Sequence, residues 1–262
     1  MNILHFAEYK RAGTPISMVT CYDSWSATLI ENTNIDCLLV GDSLAMTMHG
    51  ATNTLEATTD LMALHTRAVR RGAPNAFIIG DMPFLSFRKG LVPALECAEK
   101  LMQAGASAVK IEGVTGHAHI IKHLVESGIP VMGHIGLTPQ SVHQLGGYKV
   151  QGKNDIQCAQ LLNEAFALEQ AGCFAVVLEC VPASLGKEIT TSLTIPTIGI
   201  GAGNNCDGQV LVLQDLLGLN TAFKPKFVRT FLDGRQLIEK ALNEYDENVK
   251  KRSFPNTEES YS

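Results

Sequence analysis

Eight short apolar runs, each followed by a helix-like segment, limit what this chain can fold into. They begin with ISMVTCYD at Ile16, CLLVGD at Cys37, FIIGDM at Phe77 and AVKIEG at Ala108. They continue with PVMGHIG at Pro130, AVVLEC at Ala175, TIGIGAG at Thr197 and QVLVLQD at Gln209. The runs are continuous rather than alternating, as strands covered on both faces are. Amphipathic stretches separate them: Thr58 to Gly72, with Leu61, Leu64, His65 and Ala68 on one face, then Leu91 to Gly105 and Asn154 to Gly172. Gly72, Gly105 and Gly172 fit the left-handed position just past a helix C-terminus. Eight such units predict a closed (β/α)8 TIM barrel. A doubly wound open sheet is the alternative, but eight units without a second domain favour closure. The barrel is expected over about 16–215 of a single domain spanning 1–262. A short helix within NILHFAEYKRAG precedes it. C-terminal helices over about 216–252, with one long amphipathic helix from about Phe227, and a polar tail over 253–262 follow it.

Charge and cysteine usage exclude several classes of protein. The net charge is −5, and the one basic cluster, Lys250-Lys251-Arg252, reads as a solvated helix end. No basic stripe is present to neutralise phosphates, which argues against nucleic acid or an anionic membrane as partner. No apolar run approaches the roughly 20 residues that span a bilayer, and MNILHFAEYKRAG lacks the apolar centre of a signal peptide. The 7 cysteines form no CxxC pair and sit mostly in apolar runs. A reduced, cytoplasmic protein without disulfides is expected.

The polar residues that interrupt the apolar pattern carry the chemistry. Asp23, Asp42, Asp81, Glu112, His134 and Glu179 all fall at or near the C-terminal end of a predicted strand. Lys110 lies two residues before Glu112, so both point to one face of the fourth strand. In a barrel these ends meet at one mouth, where barrel enzymes place their reactive groups. Asp23, just before Ser24, equally suits a helix N-cap. Asp42, Asp81 and Glu112 would repel one another unless a cation held them. Their oxygen-only donors suit magnesium before zinc. His117, His119 and His123 in GHAHIIKH could mimic a zinc site, but an exposed helix face explains them without one. GIGAGN, Gly199 to Asn204, stands where many barrels hold a phosphate, although its glycines also allow close strand packing. Glu179 closes an otherwise apolar strand, and a lone buried acid with a raised pKa suits a base that takes a proton from carbon. Lys110 could form a Schiff base or bind a carboxylate as a point charge.

Several segments together are similar to a known family. MVTCYDSW, LLVGDSLAMTMHG, HTRAVRRGAPNAFIIGDMPF, VKIEG, PVMGHIGLTPQSVHQLGGYKVQGK, VLECVP, IPTIGIGAGNNCDGQVLVLQDLLGL and KPKFV resemble the ketopantoate hydroxymethyltransferases, in order from about Ile3 to the tail. GHIGLTPQS with GGYKVQG is the most specific pair. The resemblance implies a barrel of the phosphoenolpyruvate/pyruvate superfamily. The implied reaction transfers a hydroxymethyl group from methylenetetrahydrofolate to 3-methyl-2-oxobutanoate, giving 2-dehydropantoate for pantothenate synthesis. It implies Mg2+ on Asp42, Asp81 and Glu112, and keto-acid contacts from Asp42, Ser43, Asp81 and Lys110. Glu179 becomes the proton acceptor, with His134 lining the same pocket. A tetrahydrofolate co-substrate and a cytoplasmic homodecamer are also implied. With a metal as electron sink, Lys110 need not form a Schiff base. The chain departs from the family pattern at Val114, where KIEGG becomes KIEGV, at Cys21 (TCYD) and at Ala45 (DSLAM). None of these removes a ligand or the base, and a Val114 side chain in place of glycine is expected to narrow the loop beside Glu112. A related 2-oxo acid lyase or mutase, or a catalytically silent barrel serving as a binding subunit, are the rival readings.

Overall fold

The computed structural model describes residues 1–220 and 225–261. The chain divides into two compact units, Met1–Val212 and Leu213–Ser262. The first holds helix α1 (Ile3–Ala12), then β1 (Ile16–Thr20), α2 (Ser24–Glu31), β2 (Cys37–Val40), α3 (Leu44–Thr47) and α4 (Thr59–Gly72). It continues with β3 (Phe77–Asp81), α5 (Leu91–Gln103), β4 (Ala108–Glu112), α6 (Ala118–Glu126), β5 (Val131–Gly136), α7 (Val142–Leu145) and α8 (Asp155–Gln170). It ends with β6 (Ala175–Glu179), α9 (Ala183–Ser192), β7 (Thr197–Ile200) and β8 (Gly208–Leu211). The strands are parallel and close in chain order, β8 pairing with β1 through Ile16 and Gly208. Each of the eight apolar runs is a strand, and the TIM barrel is closed. Among the described residues, no helix is long and apolar enough to cross a membrane.

The barrel interior has an apolar lower half. Ile16, Met18, Cys37, Leu39, Phe77, Ile79, Ala108, Met132, Ala175, Val177, Ile198 and Val210 form one buried cluster with Phe6 of α1. The Phe6 ring lies 5.4 Å from that of Phe77 and 4.9 Å from that of Phe174. The N-terminal helix therefore plugs the end of the barrel opposite the strand C-termini.

Four local expectations need correction. The buried face of α4 is Met62, Ala63, Thr66 and Val69, whereas Leu64 is 61% exposed. The apolar stripe with leucines therefore sits beside the packed face. Gly105 and Gly172 take left-handed conformations past their helices, but Gly72 is the last residue of α4. Glycine is needed at position 72 because a Cβ there would lie 2.1 Å from the Ser24 carbonyl oxygen. Between β7 and β8 there is no helix. The loop GAGNNCD makes the return, held by Asp207, whose Oδ2 accepts from Lys10 Nζ and from Thr197 N at 2.8 Å each.

The fourth correction concerns the second unit. It contains α10 (Leu213–Leu216) and α11 (Gly234–Lys250). The long helix begins at Gly234 rather than near Phe227, because Asp233 caps it, its Oδ1 accepting from Gln236 N. Lys224 of the KPKFV segment and Ser262 of the polar tail lie outside the described residues.

Candidate active site

Strand register decides which polar groups meet at the upper rim. Asp81 of β3 is paired with Lys110 of β4, Glu112 with His134 of β5, and Gly136 with Glu179 of β6. Inward side chains of neighbouring strands at paired positions lie side by side, so acid and base alternate around the rim. Gly136 leaves room for this crossing, since a Cβ there would sit 2.2 Å from the Glu179 carbonyl oxygen.

The contacts form a closed ring. Lys110 Nζ lies 2.8 Å from Asp81 Oδ1. Asp81 Oδ2 accepts from the Asp42 backbone N–H at 3.0 Å. Asp42 Oδ2 accepts from Gln140 Nε2 at 2.8 Å, and the Gln140 N–H donates to Glu112 Oε2 at 3.0 Å. Glu112 Oε1 lies 3.4 Å from His134 Nδ1, which is 3.3 Å from Lys110 Nζ. Glu179 Oε2 attaches to this ring at His134 Nε2, 3.2 Å away. All six ring residues are buried, whereas the Glu179 side chain is 17% exposed and faces the opening. Glu179 is therefore not the lone buried acid expected from the apolar strand, because an imidazole is its partner. Ser43 lies beside Asp42, and its Oγ is 2.7 Å from the hydroxyl of buried Tyr22. Burial pushes the Tyr22 phenol up to about 12, so it stays protonated.

Four carboxylates thus share the rim with two cationic side chains. The excess negative charge is felt most at Asp42, where burial first, then Asp81 and Glu112, push the carboxyl well above its usual range. Asp81 is raised by burial, opposed by Lys110. Burial also favours the neutral form of Glu112, but its close contact with His134 and the charge there outweigh it and hold that carboxyl low. Burial and Lys110 pull His134 down, yet its contacts with Glu112 and Glu179 raise it to about 9. Lys110 is pulled down by burial and more than restored by Asp81, Glu112 and Asp42, so it remains an ammonium. A Schiff-base lysine needs the opposite shift.

The donor set suits a hard cation. Apart from their ion-pair contacts, Asp81 Oδ1 and Glu112 Oε1 are buried without accepting a hydrogen bond. Among the described residues no three His, Cys, Asp or Glu groups already surround one point as a finished cage. Magnesium does not require one, because it binds through one or two carboxylates and keeps several waters.

The remaining sequence candidates resolve differently. Asp23 is the N-cap of α2, accepting from Ser26 N at 2.8 Å. His119 and His123 are on the exposed face of α6, but His117 is buried, with its ring nitrogens 3.1 Å from the Thr115 and Gly113 carbonyls. Within GIGAGN, Gly203 is required for packing, because a Cβ there would lie 2.6 Å from that of Ala183. Gln140 and Tyr22 were not singled out from sequence. Both lie inside the quoted family segments, the only signal that could have found them.

A family model for ketopantoate hydroxymethyltransferase matches residues 1–257. The chain belongs to the ketopantoate hydroxymethyltransferase family. A 3-methyl-2-oxobutanoate hydroxymethyltransferase of Coxiella burnetii is 57% identical over 259 residues, covering 98% of this chain and 97% of the relative. One from Bdellovibrio bacteriovorus is 56% identical over 261 residues, covering 100% and 99%. The chain is thus an enzyme in a family of transferases. Solved structures with the same barrel include a 2,3-dimethylmalate lyase of the PEP mutase/isocitrate lyase superfamily, with TM-score 0.61 and 15% identity over 99% of this chain and 91% of that one. A phosphonopyruvate hydrolase complex with oxalate and Mg++ gives 0.65 and 10% over 99% and 93%. At these identities the likeness establishes the fold of that superfamily and nothing finer.

Proposed function

We propose that this ketopantoate hydroxymethyltransferase family member transfers the one-carbon unit of methylenetetrahydrofolate to 3-methyl-2-oxobutanoate, giving 2-dehydropantoate and tetrahydrofolate with uptake of one water. The names of its relatives support the substrate. The observation that carries the chemistry is Glu179 Oε2, at the open side of the buried ring and 3.2 Å from His134 Nε2. A base of this kind needs a carboxylate oxygen held beside the substrate, and the contact with His134 positions Oε2.

Asp42, Asp81 and Glu112 would hold the magnesium ion, which when bound supplies Lewis-acid stabilisation of negative charge on the keto oxygen of the substrate. Lys110 Nζ binds the substrate carboxylate as a point charge, and Ser43 Oγ, oriented by Tyr22, donates to the same group. Glu179 Oε2 takes the C3 proton, and His134 keeps that oxygen aimed at the substrate. Gln140, bonded to Asp42 and Glu112 at once, fixes the spacing of two carboxylates that would otherwise separate.

The reading extends to pantothenate synthesis in the cytoplasm by a homodecamer, whose copy number light scattering of the purified protein would give. Formation of 2-dehydropantoate only when methylenetetrahydrofolate is supplied tests the proposal. A product formed equally well without the folate would favour a lyase or mutase instead.

A further inference from the structure

Beside the buried ring, a cleft of about 330 Å3 opens between the ends of β4 and β5 and the first turns of α8. Its floor joins the reaction centre. Gly113 follows Glu112, Ser141 follows Gln140, and Arg88, whose guanidinium donates to the Glu112 carbonyl at 3.4 Å, lines one wall. The opposite wall is rich in amides, with Gln151, Gln157 and Gln160, and carries one acid, Glu164. Gln160 Nε2 donates to Glu164 Oε1 at 2.9 Å and fixes that carboxylate in place. A second cavity of about 740 Å3 continues from the first between α6 and α8. The two share Val114, Thr115, Gln160 and Glu164 as lining. The outer cavity is the more apolar, with Ala118, Ile156, Ala159 and Ala167 along it.

An elongated ligand with a flat, polar head and an apolar body matches this two-part space. Side-chain amides pair with the N–H and C=O of a cyclic lactam, and a carboxylate accepts two parallel N–H groups from an aminopyrimidine edge. Gly136, the strand partner of Glu179, lines the same cleft, so a head seated there is directed toward the reaction centre. We infer that the cleft seats the pterin of the folate co-substrate on Glu164 and the glutamines, and that the groove between α6 and α8 carries its p-aminobenzoyl body. This deepens the proposed function and rests on it for the identity of the ligand. Val114, the departure from the family's KIEGG, stands at the junction of the two cavities.

Equilibrium binding of tetrahydrofolate by calorimetry tests the inference, with Glu164→Gln for the head and Ala159→Trp for the body. Ala159 is exposed, so a large side chain there fills the groove without entering the core. Each variant is expected to weaken binding about tenfold or more, as loss of a charged hydrogen bond or of a buried apolar contact does. Both should still exchange the C3 hydrogen of 3-methyl-2-oxobutanoate with deuterated water. Wild-type affinity in both variants, no folate binding by the wild type, or loss of C3 exchange in either variant would overturn the inference. A wild type that binds folate with variant-sensitive affinity yet forms no product would uphold the cleft and sink the proposed reaction.

Discussion

At the lower end of the barrel Phe6, Phe77 and Phe174 interlock, and every inward position around them is apolar. At the upper end, two to four residues further along the same strands, inward positions carry Asp81, Lys110, Glu112, His134 and Glu179. The backbone scaffold is the same in both halves. The lower half gains stability from burial, roughly 25 cal/mol for each Å2 of apolar surface removed from water. The upper half puts charges into a dry space, where pairing returns little more than the desolvation cost. Such an arrangement contributes little to stability and makes sense as a site. The two halves should therefore fail in different ways.

Glu179→Gln should give the largest effect and should act on rate alone. Loss of a general base lowers C3 exchange by about 10²–10⁴-fold, while the melting temperature stays near that of the wild type. Phe6→Ala is the mirror image. Removing a buried aromatic costs about 3–5 kcal/mol, read by denaturant unfolding, with kcat per folded molecule retained. Lys110→Met strikes between the two, because it leaves buried carboxylates uncompensated and should destabilise by about 3–5 kcal/mol as well as raising the KM for the keto acid. A Lys110→Met protein as stable as the wild type would show that the ring carries less unbalanced charge than its contacts imply.

The smallest effect is one of pH. His134 titrates near 9 in the folded chain against 6.5 when free. Its ion-pair contribution is thus complete below pH 6.5 and is lost as the pH rises through 9. Thermal stability should fall over that interval, and His134→Gln should flatten the fall. A variant that declines as steeply as the wild type would remove His134 as its source.

The lower half was the easier one to read from sequence. Continuous apolar runs such as CLLV and AVVLE have one explanation, strands covered on both faces, and all eight proved to be strands. The acids at their ends were legible for the same reason, since a carboxylate has no place in such a run. The pairing was not. That Asp81 meets Lys110 and Glu112 meets His134 depends on the stagger between strands, which leaves no mark in a single sequence. Gln140 was hidden because an amide after a proline reads as loop, although its backbone N–H and its side chain tie two strand ends together. The α4 face was misread because leucines dominate its pattern while Met62, Thr66 and Val69 make the packed surface. The missing helix between β7 and β8 was masked by glycines that suggested a ligand cradle.

The central claim is that the charged rim exists to move a proton from carbon with a divalent ion close by. Deuterium exchange at C3 of 3-methyl-2-oxobutanoate, followed by NMR with no folate present, tests it most directly. The wild-type protein should exchange with Mg2+ present, stop in EDTA and recover when Mg2+ is restored. Exchange that continues undiminished in EDTA would contradict the account.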